Sequence, residues 1–209
     1  TSCLSPEWGP HNELYFISDA SGWWNLWQAG LNAPLKHLIE DQSEWGFPLW
    51  QLGMRALSVL ADGQILSVHG PVDARKIVRV NPKTGQMQDL LCNLTDFKPS
   101  LSASGHKAYA VGSSAKVVSQ LIEIDLPSWQ VSKVLASIDA PIDATYFPEP
   151  HEIKVLRKDD REVFAILHAA QHPEFEPLEK PPLMVVVHGG PTANATASLS
   201  MKYAYFTSR

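Results

Sequence analysis

Short apolar runs separated by polar turns fill the first two-thirds of the chain, and they recur in sets. Leu14-Tyr15-Phe16-Ile17, Ile65-Leu66-Ser67-Val68 and Ala108-Tyr109-Ala110-Val111 are rich in strand-forming residues. Each follows a polar turn: Pro10-His11-Asn12, Asp62-Gly63 and Ser104-Gly105. A further run comes next, at residues 25–29, 76–80 and 120–124, where apolar and polar positions mix as in half-buried strands. A last run closes each set at residues 35–39, 87–91 and 131–135. The turn Asn81-Pro82-Lys83-Thr84-Gly85 carries the Pro and Gly that reversal of the chain requires.

A proline-led opening stands ahead of each set: Ser5-Pro6-Glu7-Trp8, Phe47-Pro48-Leu49-Trp50 and Lys98-Pro99-Ser100-Leu101. These prolines are 42 and 51 residues apart, near the period of a β-propeller blade, roughly 40–50 residues. Four short strands per repeat is the build of a blade. The pattern predicts a mainly β chain whose residues 1–138 form about three four-stranded blades of a partial β-propeller. A β-sandwich of similar hairpins is the alternative. Propellers close with about four to eight blades, and an open arc leaves faces and edges uncovered. The arc is therefore expected to belong to a longer protein.

The pattern changes after Ile138. Residues 139–150 carry Pro141, Pro148 and Pro150 and are predicted to be a stiff linker. Strands are predicted at 152–156 and 163–169, around the charged turn Lys158-Asp159-Asp160-Arg161. A loop with Pro173, Pro177, Pro181 and Pro182 leads into Leu183-Met184-Val185-Val186-Val187. That run is apolar on both faces and suits a buried central strand. It ends at His188-Gly189-Gly190-Pro191. Residues 198–208 are predicted to be helical, with Leu199, Tyr203 and Phe206 on one face.

Composition narrows the function classes. Of the 209 residues, 44% are hydrophobic and 19% charged, a soluble globular balance. A net charge of −5 gives no electrostatic reason to expect nucleic acid as a partner. No apolar run approaches the ~18 residues of a membrane span, so no membrane partner is expected. Cys3 and Cys92 match no metal-ligand spacing. They read as free thiols of a reducing, cytoplasmic compartment. The sequons Asn93-Leu94-Thr95 and Asn194-Ala195-Thr196 carry little weight without a visible signal peptide. The chain opens on Thr1 rather than Met, and truncation is the expectation. No cofactor or metal is expected.

The candidate chemistry lies at His188-Gly189-Gly190-Pro191. Two glycines after a strand allow a sharp turn and close backbone approach to a ligand. Their N–H groups can then face a cleft at the strand's C-terminal end. In α/β-hydrolases one oxyanion-hole donor comes from such a loop, and the other from the residue after the nucleophile. A tight turn with a solvated histidine explains the same residues, and the loop alone leaves both open. Other candidates are weaker. His188 lacks a second ligand at helical spacing. His168 and His172 fall in a strand and a loop, and Asp159-Asp160 is a solvated turn. The six tryptophans before residue 51 fit blade and core packing better than a stacking platform.

The segment from Lys180 to Thr192, Lys-Pro-Pro-Leu-Met-Val-Val-Val-His-Gly-Gly-Pro-Thr, resembles the first core strand of the prolyl oligopeptidase family, in its dipeptidyl aminopeptidase and acylaminoacyl-peptidase branch. The segment from Leu14 to Trp27 and Phe47-Pro48-Leu49-Trp50-Gln51-Leu52-Gly53-Met54 resemble successive blade segments of that branch, and Glu174-Phe175-Glu176-Pro177 also fits. The resemblance covers nearly the whole chain, in the order propeller, linker, hydrolase. It implies that residues 151–209 begin an α/β-hydrolase domain of a serine peptidase, whose propeller admits only short peptides. It also implies that the Gly190 N–H is an oxyanion donor, in a loop shaped by His188, Gly189 and Pro191. The family's triad is Ser, Asp, His in chain order, with Ser in a G-x-S-x-G elbow. No such elbow occurs here; Ser21, Ser104 and Ser113 lie in the repeats. The triad is expected beyond Arg209 and the chain alone is expected to be inactive. The alternative is a non-catalytic propeller that binds peptides or proteins, with a degenerate hydrolase tail.

Overall fold

Three antiparallel meanders make up the first two-thirds of the molecule. The computed structural model describes residues 1–31, 33–138, 143–176, 178–190 and 193–209. The first sheet runs β1 (Cys3–Trp8), β2 (Leu14–Ser18), β3 (Asn25–Gly30) and β4 (Ala33–His37), each strand paired with the next. The second runs β5 (Leu57–Val59), β6 (Ile65–His69), β7 (Lys76–Val80) and β8 (Met87–Asp89). In the third, β9 (Asp96–Phe97) and β10 (Ser102–Ser104) both pair with β11 (Lys107–Ser113), followed by β12 (Gln120–Asp125) and β13 (Gln130–Ala136). β9 and β10 are the halves of one broken strand. Each sheet thus has four strand positions in chain order, a mainly β, propeller-like array.

The turns follow from their residues. Asn12 (φ 64°), Gly63 (φ 82°) and Gly105 (φ 59°) take the left-handed backbone in the turns after β1, β5 and β10. Asn and Gly adopt that conformation at least cost.

The proline-led openings behave differently from expectation. Residues 47–50 form no strand, and the second sheet begins at β5 instead. Pro48 offers no N–H to a ladder, and Phe47 is buried, with the Arg75 guanidinium 4.6 Å above its ring. At the other two openings the proline interrupts its strand. β1 bulges between Leu4 and Glu7, with Ser5 at φ 50°. Around Pro99, the Val111 N–H donates to Ser100 Oγ at 3.1 Å, a side chain standing in for a backbone acceptor. Neighbouring sheets join at these breaks. Ala56 N–H donates to Ser5 Oγ at 3.3 Å, and Arg55 N–H donates to the Pro99 carbonyl at 2.8 Å. β1, β5 and β10 consequently stand side by side.

The closing strands also end early, β4 at His37 and β8 at Asp89. Ile39 and Leu90 turn inward and are buried between sheets instead of extending the edge. The middle sheet is covered on both faces, so Ile65, Leu66, Ser67 and Val68 of β6 are all buried without alternation. They anchor one contiguous apolar core with Ile17, Leu26, Trp45, Ile77, Phe97 and Ile122.

Beyond the third sheet a 3₁₀ turn (Ala144–Tyr146) is capped by the Asp143 carboxylate, which accepts from Thr145 N–H at 2.9 Å. β14 (His151–Leu156) and β15 (Glu162–Leu167) form an isolated hairpin. Leu183–Val187, expected as a central strand, is in no sheet among the described residues, and all five side chains are exposed. A strand is defined by its neighbours' hydrogen bonds, and β14–β15 pair only with each other. The helix α1 (Met201–Thr207) is shorter than expected. Ser200 caps it, accepting from Tyr203 N–H at 3.3 Å, while Leu199 N–H is drawn off to the Ser114 carbonyl at 2.8 Å. Its packed face is Tyr203, Ala204 and Thr207 rather than the expected set, because Phe206 points outward at 45% exposure.

Candidate functional site

The apolar run delivers His188, Gly189 and Gly190 together in one exposed loop. Gly190 sits at φ 77°, a conformation that side-chain-bearing residues rarely adopt. A Cβ added at Gly189 or Gly190 would meet nothing within 4 Å. The loop is therefore open to approach, and its backbone at Gly190 is one that glycine suits. Pro191, the last residue of the motif, lies outside the described residues.

The competing candidates are dispersed. His168 follows β15, with its ring 4.8 Å from that of Tyr203, and burial holds its pKa below the ordinary value. His172 stands between Tyr146 and Phe175, at 5.2 and 4.6 Å, and accepts from Glu174 N–H. Asp159 is paired with Arg157 at 3.3 Å and Arg161 at 3.0 Å, a charged hairpin turn. Among the described residues no group of three or more His, Cys, Asp or Glu could hold a metal ion. No described helix is long and apolar enough to cross a membrane. The early tryptophans divide. Trp45 is wholly buried and Trp24 packs on the core, whereas Trp8 and Trp50 are each 64% exposed.

Two features were not visible in the sequence. A cavity of about 530 Å³ opens beside β1, lined by Ser5, Glu7, Trp8, Leu49, Met54 and Arg55. Its apolar walls flank one ion pair, Arg55–Glu7 at 3.5 Å. The second is Arg75, which is buried with no acceptor for its Nε. Burial pulls its pKa down, against the opposing pull of Asp96 and Glu44. No pattern in the chain predicts either, since both depend on contacts between sheets.

No family model and no curated protein matches the chain, but solved structures do. A puromycin-hydrolysing peptidase of Mycobacterium tuberculosis is 30% identical, with a TM-score of 0.91 over 99% of this chain and 32% of its own. A puromycin hydrolase is 32% identical, with a TM-score of 0.89 over 98% of this chain and 31% of its own. A dipeptidyl peptidase 4 of Porphyromonas gingivalis shares the fold at a TM-score of 0.69 and 12% identity, over 96% of this chain and 28% of its own. The solved structures that share this propeller-like array of antiparallel sheets are peptidases. The chain belongs to the prolyl oligopeptidase family. It spans about a third of the length of the solved structures it matches.

Proposed function

We propose that this chain is part of a serine peptidase that hydrolyses short peptides and related aminoacyl amides. The observation that carries the proposal is the 30–32% identity to puromycin-hydrolysing peptidases along nearly its entire length. In this proposal residues 1–138 are propeller blades that limit access, 139–150 a linker, and 151–209 the start of an α/β-hydrolase domain. The backbone N–H of Gly190 donates to the oxyanion, and His188, Gly189 and Pro191 shape its loop. Two preorganised donors stabilise charge that develops only in the transition state, which raises kcat rather than ground-state binding. The chain contains no G-x-S-x-G elbow, so nucleophile, acid and base are assigned to residues outside these 209. Alone, the chain is inactive. The full protein works without a cofactor, in the cytoplasm.

The test uses a polypeptide of the relatives' full length that contains this chain. It should release product from aminoacyl p-nitroanilides or puromycin. Gly190→Ala forces a Cβ onto a backbone at φ 77° and should tilt the donor. The expected loss is about 10²-fold in kcat, the scale for one oxyanion donor, with KM nearly unchanged. An unchanged kcat would remove Gly190 from the site. Absence of hydrolysis by the parent polypeptide would remove the peptidase assignment and favour the non-catalytic binding scaffold.

A further inference from the structure

The chain that follows the Gly190 loop returns to the third sheet before it enters α1. Ala197 is buried, and the residues beyond it are seated by two hydrogen bonds. The Ser198 hydroxyl donates to the Asp96 carboxylate on β9, and Leu199 N–H donates to the Ser114 carbonyl just past β11 at 2.8 Å. Thr196 Oγ1 lies 3.0 Å from Ser198 Oγ. A hydroxyl has one proton to give. Ser198 gives it to the carboxylate, so Thr196 donates to Ser198 in turn. The far end of α1 is tied elsewhere, where Gln171 N–H donates to the Thr207 carbonyl at 2.8 Å.

Asp96 is a fixed point in the third sheet. The residue is 2% exposed, its backbone pairs with Ser113 of β11, and its neighbour Phe97 is buried in the core. Thr95 N–H donates to the Ser113 carbonyl at 2.9 Å, and the Thr95 carbonyl accepts from Arg75 N–H at 3.0 Å, so this strand is also held from the second sheet. Nothing in β9 itself calls for a carboxylate, because its pairing with β11 uses backbone alone. A buried carboxylate needs a counter-charge and hydrogen-bond donors. The buried Arg75 guanidinium attracts it from the side of the second sheet. Ser198 supplies a donor from the far end of the chain.

Ser198 comes eight residues after Gly190. Ahead of the loop, Leu183–Val187 pairs with no described strand. The seat on Asp96 and Ser114 is therefore the nearest fixed point to Gly190 among the described residues. An oxyanion donor must be held within about 0.5 Å of its productive position, and a misplacement of about 1 Å can cost 10²-fold in rate. We propose that Asp96 is a positioning residue for the Gly190 loop: from the third sheet it holds the Ser198 hydroxyl, and so fixes the C-terminal side of the loop where the chain leads into α1. The proposal rests on the reading of Gly190 as an oxyanion donor. Asp96 touches no reacting atom and acts through Ser198.

The experiment uses the polypeptide of the relatives' full length that contains this chain. Ser198→Ala deletes one hydroxyl and leaves the buried Ala197, the Leu199–Ser114 bond and the Gln171–Thr207 bond in place. The folded variant should lose roughly 3–10-fold in kcat, less than for a donor removed outright, with KM nearly unchanged. Hydrogen exchange should be faster at residues 193–200. Ser198→Thr, which restores a hydroxyl, should bring back both kcat and protection. A purely structural role would instead lower the unfolding midpoint and leave the kcat of folded molecules unchanged. Wild-type kcat in Ser198→Ala beside an impaired Gly190→Ala would overturn the positioning role alone. Wild-type kcat in Gly190→Ala would overturn the oxyanion reading, and the positioning role with it. Should Ser198→Ala not fold, Asp96→Asn takes its place, since it keeps the shape and offers the hydroxyl a weaker, uncharged acceptor.

Discussion

Trp129 joins the second and third sheets, and its removal can be worked through in numbers. Its indole stacks under the Arg79 guanidinium at 4.5 Å, and its Nε1 donates to the Asp89 carbonyl at 3.0 Å. Arg79 in turn donates to the Leu126 carbonyl at 2.9 Å, so the stack is held from both sides. Trp129→Ala loses about 0.5–1 kcal/mol of cation–π attraction, about 1 kcal/mol of hydrogen bond and about 1–2 kcal/mol of half-buried apolar area. The expected destabilisation is about 3 kcal/mol on that sum. The residue also sits at φ 56°, where any side chain costs roughly 1–2 kcal/mol. Trp129→Gly sheds that strain and should be at least as stable as Trp129→Ala, although glycine usually destabilises. Urea unfolding with an unchanged slope measures both. Combined with Arg79→Ala, the double variant should show about 0.5–1 kcal/mol of coupling. Additivity within roughly 0.3 kcal/mol, or an Ala variant clearly more stable than the Gly variant, would refute the bridge.

Two further outcomes follow from the core and from the carboxylates. Leu66→Ala opens a void in the middle sheet, where Leu66 has no exposed surface, and should cost about 2–5 kcal/mol in urea unfolding. Burial raises the pKa of Asp41 and Asp89, but hydrogen bonds from Ser43, Trp45 and His69 to the first and from Lys76 and His69 to the second outweigh it and leave both lowered in the folded state. Their contribution is complete above the unfolded carboxylate value of about 3.9 and is lost as pH falls below it. Acid unfolding of Asp41→Asn should therefore show a shallower pH dependence than the wild type below about pH 4.

What the sequence revealed depended on how local the determining physics was. The meander of each sheet was legible because its turns need particular residues, and Asn12, Gly63 and Gly105 are those residues. β5 was missed because Leu57-Ser58-Val59 is too short to show a period, and only its pairing with β6 makes it a strand. The same logic misled at Leu183–Val187, where apolarity was read as a strand although no described strand lies alongside. The glycine loop was legible as a motif, and the φ of Gly190 is one that glycine suits. The cavity beside β1, Arg75 and the Asp96–Ser198 bond were not legible, because each joins residues far apart in the chain.

Labelling with a fluorophosphonate, which reacts covalently with an activated serine, tests the central claim most directly. A polypeptide of the relatives' full length containing this chain should be labelled at a single serine, and the 209-residue chain alone should remain unlabelled. Labelling of the isolated chain would contradict the assignment of the nucleophile to residues outside it. A full-length polypeptide that stays unlabelled would contradict the serine peptidase itself.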